Sequence, residues 1–341
     1  MIFSVPDLTL SAILSFEKSL PDVINDNIFI FDFSKMTNFD PLPMLLAGSI
    51  IRRYRKKHPD VSFQIAGCGT SGTGYAGTMG FFKYISPSIE FGKGPGEATG
   101  SSNYIPITTI AVEELREDAY SNGNYLSVGD LLEIKAGHLA KIVDRGNLEL
   151  HKLLTYLIRE ILRNTPEHAK SNKIWVCGQY WPSFELAEIA IMDEGIGIYN
   201  SITQNIAHKE YIRTNAAALR WSLKAGISES FRPSSKQKSN DEWANSGFGL
   251  YMVSQICKEL NGNFYLISYD DYVSLDNHGM KCGSTSFEGT AIRIRVPTKR
   301  ISSAQTIISK ISSQGEAEAK TIRNAFKTAS TPSKGLMEHL M

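Results

Sequence analysis

Residues 156–164 read Tyr156-Leu157-Ile158-Arg159-Glu160-Ile161-Leu162-Arg163-Asn164. With a turn of about 100° per residue, Leu153, Leu154, Leu157, Ile158, Ile161 and Leu162 fall on one apolar stripe. The stripe predicts an amphipathic helix over Leu148–Thr165, with Glu160 and Asn164, four apart, together on its rim. A half-sheltered carboxylate and amide on one helix edge suit a water-activating base, Glu160, beside a magnesium ligand, Asn164. Magnesium takes octahedral oxygen ligands and keeps several waters, so one amide oxygen plus phosphate oxygens is enough. By itself the pair also reads as a polar contact on a surface helix.

Three further patterns follow in order. Met192-Asp193-Glu194-Gly195-Ile196-Gly197 closes a predicted strand, Leu186–Met192. A buried Asp193 is a natural acceptor for the exocyclic amine of adenine, and Gly195 and Gly197 let backbone approach a purine without a Cβ. Asn245-Ser246-Gly247-Phe248-Gly249-Leu250-Tyr251-Met252-Val253 opens an apolar helix expected over about Leu250–Leu260. Free amides and the dipole at such a helix start form a phosphate cradle. Glu288-Gly289-Thr290 enters the last strand, where the Thr290 hydroxyl is placed to hold a water beside the adenine-binding carboxylate. Each pattern alone has a bland alternative: a strand-ending turn, a glycine-rich lead-in, a β-branched strand residue.

In conjunction and in this order, the four patterns resemble the N, G1, G2 and G3 boxes of the GHKL superfamily of ATPases and kinases, over about half the chain. The resemblance implies a Bergerat-type α/β sandwich that binds ATP and Mg²⁺. It places Asn164 on the metal, Asp193 on adenine with Gly195 and Gly197 beside it, and Gly247, Gly249 and Leu250 at the phosphates. Thr290 supports the adenine side, and His168 lies on the helical side of Asn164 where some members carry a basic residue. The segment between the second and third boxes becomes an ATP lid, with Lys236 and Lys238 within reach of phosphate. Pro166 removes a backbone bond to Leu162, so the N-box helix should end or kink there. No HExxxP-like phosphoacceptor helix precedes the domain, and too little chain follows Val296 for a gyrase-like transducer domain.

Upstream, Asn27–Phe33 reads as a strand, Pro41–Lys57 as a helix, Val61–Ala66 as a strand, Tyr75–Ile85 as a helix and Ser88–Phe91 as a short strand. The stretch from Phe31 to Pro43 before the apolar helix resembles STAS domains of anti-sigma-factor antagonists. Those domains usually carry Asp-Ser-Ser-Gly at this turn; here Pro41 stands in that place and cannot accept phosphate. Gly67-Cys68-Gly69-Thr70-Ser71-Gly72 competes as a dinucleotide fingerprint, with Glu90 further on, and raises a rival NAD-type reading. Gly92–Asn103 is the clearest linker-like stretch, followed by a short strand at Tyr104–Ile110.

The expected layout is an α/β (α+β) chain: a STAS-like unit over 1–110, a linker over 111–127, the ATP-binding sandwich on a mixed sheet over 128–300, and a helical or disordered tail over 301–341. With 36 basic and 35 acidic side chains the net charge is +1, which offers no basic excess for gripping nucleic acid. Arg52-Arg53-Tyr54-Arg55-Lys56-Lys57 reads as the solvated end of a helix. Four scattered cysteines without CxxC spacing suggest reduced thiols. The longest apolar stretch, Pro41–Ile51, is too short to cross a bilayer, and the N-terminus lacks a basic leader, so a cytoplasmic protein is expected. The functional expectation is slow ATP hydrolysis or phosphoryl transfer to a partner protein, with a homodimer possible. The alternative is a non-catalytic ATP-controlled interaction switch.

Overall fold

The strand Leu186–Asp193 is buried along nearly its whole length, and its residues alternate between two cores. Ile189 and Ile191 face one core, Ala190 and Met192 the other, as the two-residue strand period requires. A sheet covered on both faces must therefore lie at the centre of the molecule. The computed structural model describes residues 1–121, 126–230, 246–299 and 301–334.

Two open sheets are present among the described residues. The smaller is wholly parallel: β1 (Ile2–Ser4), β2 (Ile28–Asp32) and β3 (Ser62–Ala66), in that order. The larger contains β4 (Tyr104–Ala111), β5 (Lys173–Trp181), β6 (Leu186–Asp193), β7 (Asn263–Asp276) and β8 (Gly279–Pro297), ordered β4-β5-β6-β8-β7. Every neighbouring pair in it is antiparallel rather than mixed. The cause is connectivity: β5–β6 and β7–β8 are hairpins. The β6–β8 register sets Asp193 opposite Thr290, so the second and fourth patterns become neighbours although almost a hundred residues separate them.

On one face of the large sheet lie the helices Val128–Val143, Leu148–Asn164 and Gly249–Glu259. The first begins with a capping box, Ser127 and Asp130 exchanging hydrogen bonds. The second is capped by the Asn147 side chain, which accepts from the Leu150 amide at 3.1 Å. It ends at Asn164 and passes into a π-helical turn, Thr165–Ala169, that contains Pro166; the missing proline N–H has forced the break expected of it. The opposite face is covered by the N-terminal helix Pro41–Lys57, which packs on β5, β6 and β8. Its proline at the first helical position fits the fixed φ of that residue.

Several expectations change. Ser88–Phe91 is not a strand, because Gly92 turns the chain at φ +83° and the Lys93 amide bonds to the Gly77 carbonyl instead. The strand after the glycine-rich stretch, Tyr104–Ala111, pairs with β5 of the large sheet, burying Ile105 and Ile110 under its helices. The span read as a linker holds the helix Val112–Ser121, with Glu113 and Glu114 in its first turn, where acidic charge suits the helix dipole. Strands β7 and β8 extend well beyond the expected Asn263–Tyr269 and Thr290–Val296 as one long hairpin. Part of the tail forms the helix Ala304–Thr321, which packs on the helices Leu148–Asn164 and Gly249–Glu259. Arg52 and Arg53 are not solvated: Arg52 pairs with Glu194, and Arg53 with Glu17 and Glu288. None of the described helices is long and apolar enough to cross a membrane.

Candidate functional site

The end of β6 and the end of the N-box helix form opposite walls of one cavity. Asn164, His168 and Asp193 line it, together with Gly197 and Thr290. Gly247, Gly249 and Leu250 close the side from which the helix Gly249–Glu259 departs. The sequence-predicted groups thus converge, apart from Gly195 and Glu160, which stand behind the lining. Lys236, Lys238 and Asn245 lie outside the described residues.

Asp193 is 7% exposed. Burial pushes its carboxyl up to about 7, against the opposing pull of the Gly195 amide, the Thr290 backbone and the Thr165 side chain. The Gly195 N–H donates to Oδ1 at 2.9 Å. A methyl on Gly195 would collide with the Ala169 carbonyl, to which the Ile196 amide donates at 2.8 Å. Gly195 therefore lets the strand end dock on the π-helical turn, a backbone-to-backbone approach rather than one to a ligand. At Gly197, φ is +72° and a side chain would strike the Tyr269 ring.

Asn164 is half-buried, and its Nδ2 is enclosed with no hydrogen-bond partner among the described residues. An unpartnered buried amide in a cavity wall is costly, and nothing pins which end of the carboxamide faces inward. Such a side chain is ready to offer its oxygen to a cation, so the residues present fit a magnesium ion carried by a polyphosphate. Gly249 begins its helix so close to the N-box helix that an added Cβ would lie 3.1 Å from Glu160 Oε2 and 3.9 Å from Asn164 Oδ1. A side chain here would press on the Glu160 carboxylate, whereas glycine leaves the free amides of that helix start close to both side chains.

Glu160 is 5% exposed and sits in a charged network that the sequence did not reveal. Arg159, 1% exposed, donates from Nη2 and Nε to Glu160 Oε1 at 2.9 and 3.2 Å, and from Nη1 to Glu133 Oε2 at 2.8 Å. Burial opposes the guanidinium charge, yet the flanking carboxylates hold its proton more firmly than usual. One Glu160 oxygen is thereby fixed, and the other turns toward Gly249 and accepts from the Ser333 hydroxyl at 3.3 Å. An arginine next to Glu160 and flanked by the apolar stripe is the one sequence feature that could have pointed to Arg159; nothing in the sequence pointed to Glu133 or Ser333.

His168 Nδ1 lies 2.9 Å from Glu229 Oε1, and Ser201 donates to Glu229 Oε2 at 2.8 Å. Burial alone would raise the Glu229 carboxyl, but the His168 bond and charge and the Ser201 hydroxyl bring it below the ordinary glutamate range. Pro166 does not remove His168 from the site, because the π-helical turn carries it round to the cavity wall.

The competing glycine run has a packing explanation. A side chain on Gly67 would collide with Ser34, and one on Gly72 with the Met36 carbonyl at 2.6 Å. Its following helix, Gly74–Thr78, has five residues, and Glu90 ends no strand.

Comparison with known proteins agrees with this geometry. The family model described as histidine kinase-, DNA gyrase B-, and HSP90-like ATPase matches residues 149–300, a span that holds Glu160, Asn164, Asp193, Gly249 and Thr290. Residues 149–300 are therefore an ATPase domain of the GHKL type, and ATP binding is what such a domain implies. No curated protein and no solved structure matches the chain.

Proposed function

We propose that this protein binds Mg²⁺–ATP in the cavity between Asp193 and Asn164 and cleaves or transfers the γ-phosphoryl group slowly. The observation that carries the reading is the convergence of Asp193, Asn164, Gly247 and Gly249 on one cavity from three separate stretches of chain. Asp193 accepts from the adenine amine, with Thr290 opposite it in register. Asn164 supplies the metal oxygen, and a magnesium ion held there neutralises phosphate charge. Amides at the start of the helix Gly249–Glu259 receive phosphate oxygens. Glu160, oriented by Arg159, takes the proton of the attacking hydroxyl at Oε2; holding nucleophile and base in line supplies much of the rate.

A regulatory role is supported by the contact between the adenine turn and the N-terminal unit. Ser49 donates to Glu194 at 2.5 Å, and Arg52, stacked over Tyr84 and Trp175, pairs with the same carboxylate. Glu194 is covalently next to Asp193, so a protein partner that shifts the N-terminal helix would shift the adenine acceptor. The parallel strands and intervening helix of that unit support the STAS-like reading.

A second reading is an ATP-controlled switch without turnover. The cavity wall carries a cluster in which His168 and Ser201 meet Glu229, and a nucleotide that rearranges this cluster would favour one state of the chain over another, which is the requirement for a population shift. Phosphate release from purified protein separates the two readings. Nucleotide titration of wild type against Asp193→Asn tests both, since retained ATP binding in the variant would refute the adenine assignment.

A further inference from the structure

The free oxygen of the Glu160 carboxylate is already engaged by a hydroxyl of the same chain. Ser333 lies 173 residues away in sequence, is 4% exposed, and points its Oγ at Glu160 Oε2 from 3.3 Å. It is strapped there. Tyr156 donates its phenol to the Ser333 carbonyl at 3.0 Å, and Ser330 donates to Ser333 Oγ at 3.2 Å. The Ser330 amide in turn donates to Ser246 Oγ at 3.0 Å, immediately before Gly247 of the glycine loop. Further back, Phe326 bonds through its amide to the Gly226 carbonyl at 2.9 Å, and the Ala329 amide to Glu316 at 3.0 Å. The strap thus runs along the glycine loop and places one hydroxyl against the carboxylate beside Gly249.

From this we infer that Ser333 is a phosphoacceptor of the chain's own ATPase domain, modified in cis. The inference rests on the ATP reading above. In the step, the Ser333 Oγ–Pγ bond forms while the bond from Pγ to the β,γ-bridging oxygen breaks. The electron pair of that bond leaves with ADP, and the Ser333 proton passes to Glu160 Oε2, so the products are phosphoserine and ADP. A base must stand within hydrogen-bond reach of the proton it takes, and among the described residues Ser333 is the hydroxyl that meets this condition at Glu160. While the strap is down its hydroxyl takes up the hydrogen bond to Glu160 Oε2 that a hydrolytic water would need, which favours transfer to serine over transfer to water. The product carries a charge of roughly −1.5 to −2 at neutral pH, facing Glu160 in a buried site. Repulsion then expels the segment, so the modification opens the strap.

The test uses the full-length chain with Mg²⁺ and γ-labelled ATP, followed by peptide mapping, with nucleotide binding measured in parallel. Label is expected on Ser333, at a rate independent of protein concentration. Ser333→Ala should bind ATP as the wild type does and lose the label, while Ser330→Ala should keep it on Ser333. Glu160→Gln should slow labelling by about 10²–10⁴-fold with binding retained. Bound ATP without label on Ser333, label at Ser330 instead, or a rate that rises with protein concentration overturns the inference and leaves ATP binding standing. Failure to bind ATP overturns the underlying reading as well, and the parallel binding measurement identifies that outcome.

Discussion

Replacing Asp193 by asparagine should make the protein more stable and unable to recognise ATP. The Asp193 carboxyl is raised from 3.8 to about 7 by burial. Its folded value exceeds its unfolded value, so the native state holds the extra proton between those limits. Stability contributed by the protonated form is complete below the unfolded value and declines as pH rises toward 7. At about 1.4 kcal/mol per unit, ionising this group in the native state costs about 4 kcal/mol above neutrality. Asparagine keeps an oxygen for the Gly195 amide and carries no charge to desolvate. Urea unfolding of both proteins at about pH 5 and about pH 8 isolates the effect, because about two units of titration lie between the first condition and pH 7. The stability advantage of the variant should be about 3 kcal/mol larger at the higher pH. A pH-independent difference, or a variant less stable at both values, would refute the burial argument. Adenine donates to the ionised form, so ATP affinity of the wild type should also weaken as pH falls below 7, approaching tenfold per unit.

Three other substitutions probe the remaining parts. Glu160→Gln should leave nucleotide binding intact and reduce phosphate release by about 10²–10⁴-fold; unchanged turnover removes Glu160 from the base role. Arg159→Met strips the counter-charge from Glu160 and Glu133, both buried, and should destabilise the fold by about 3–5 kcal/mol in chemical denaturation at neutral pH. A loss below 1 kcal/mol would mean that the network is solvated. Gly249→Ala places a methyl 3.1 Å from Glu160 Oε2, so it should weaken ATP binding in direct titration while changing thermal stability little, since alanine favours helix; undiminished ATP affinity would remove the close approach at Gly249 from the binding account.

The site was legible in the sequence where local pattern carries the information. The helix stripe from Leu153 to Leu162 fixed which side of Leu148–Asn164 is buried, and Pro166 marked its end. The glycine patterns marked two strand and helix boundaries correctly, but the reason for Gly195 was misjudged, because the Ala169 carbonyl it accommodates comes from a different turn. Polar groups were legible only in part. Glu160 and Asn164 share one helix edge, whereas Glu133 and Glu229 reach the site from other segments through tertiary packing. The strand expected at Tyr104–Ile110 was placed in the N-terminal unit without a partner, and it pairs with β5 of the large sheet, since alternation reveals that a strand pairs and not with what. The strap that brings Ser333 to Glu160 depends on contacts spanning 173 residues, and no periodicity encodes them.

The most direct measurement compares ATP with GTP in equilibrium binding to the wild-type protein with Mg²⁺ present. Guanine presents a carbonyl where adenine presents its amine, so GTP sets one acceptor against another at Asp193. ATP should bind one per chain and GTP at least about a hundredfold more weakly. Equal affinity for the two would contradict the assignment of Asp193 as the purine-recognising carboxylate, and with it the nucleotide site.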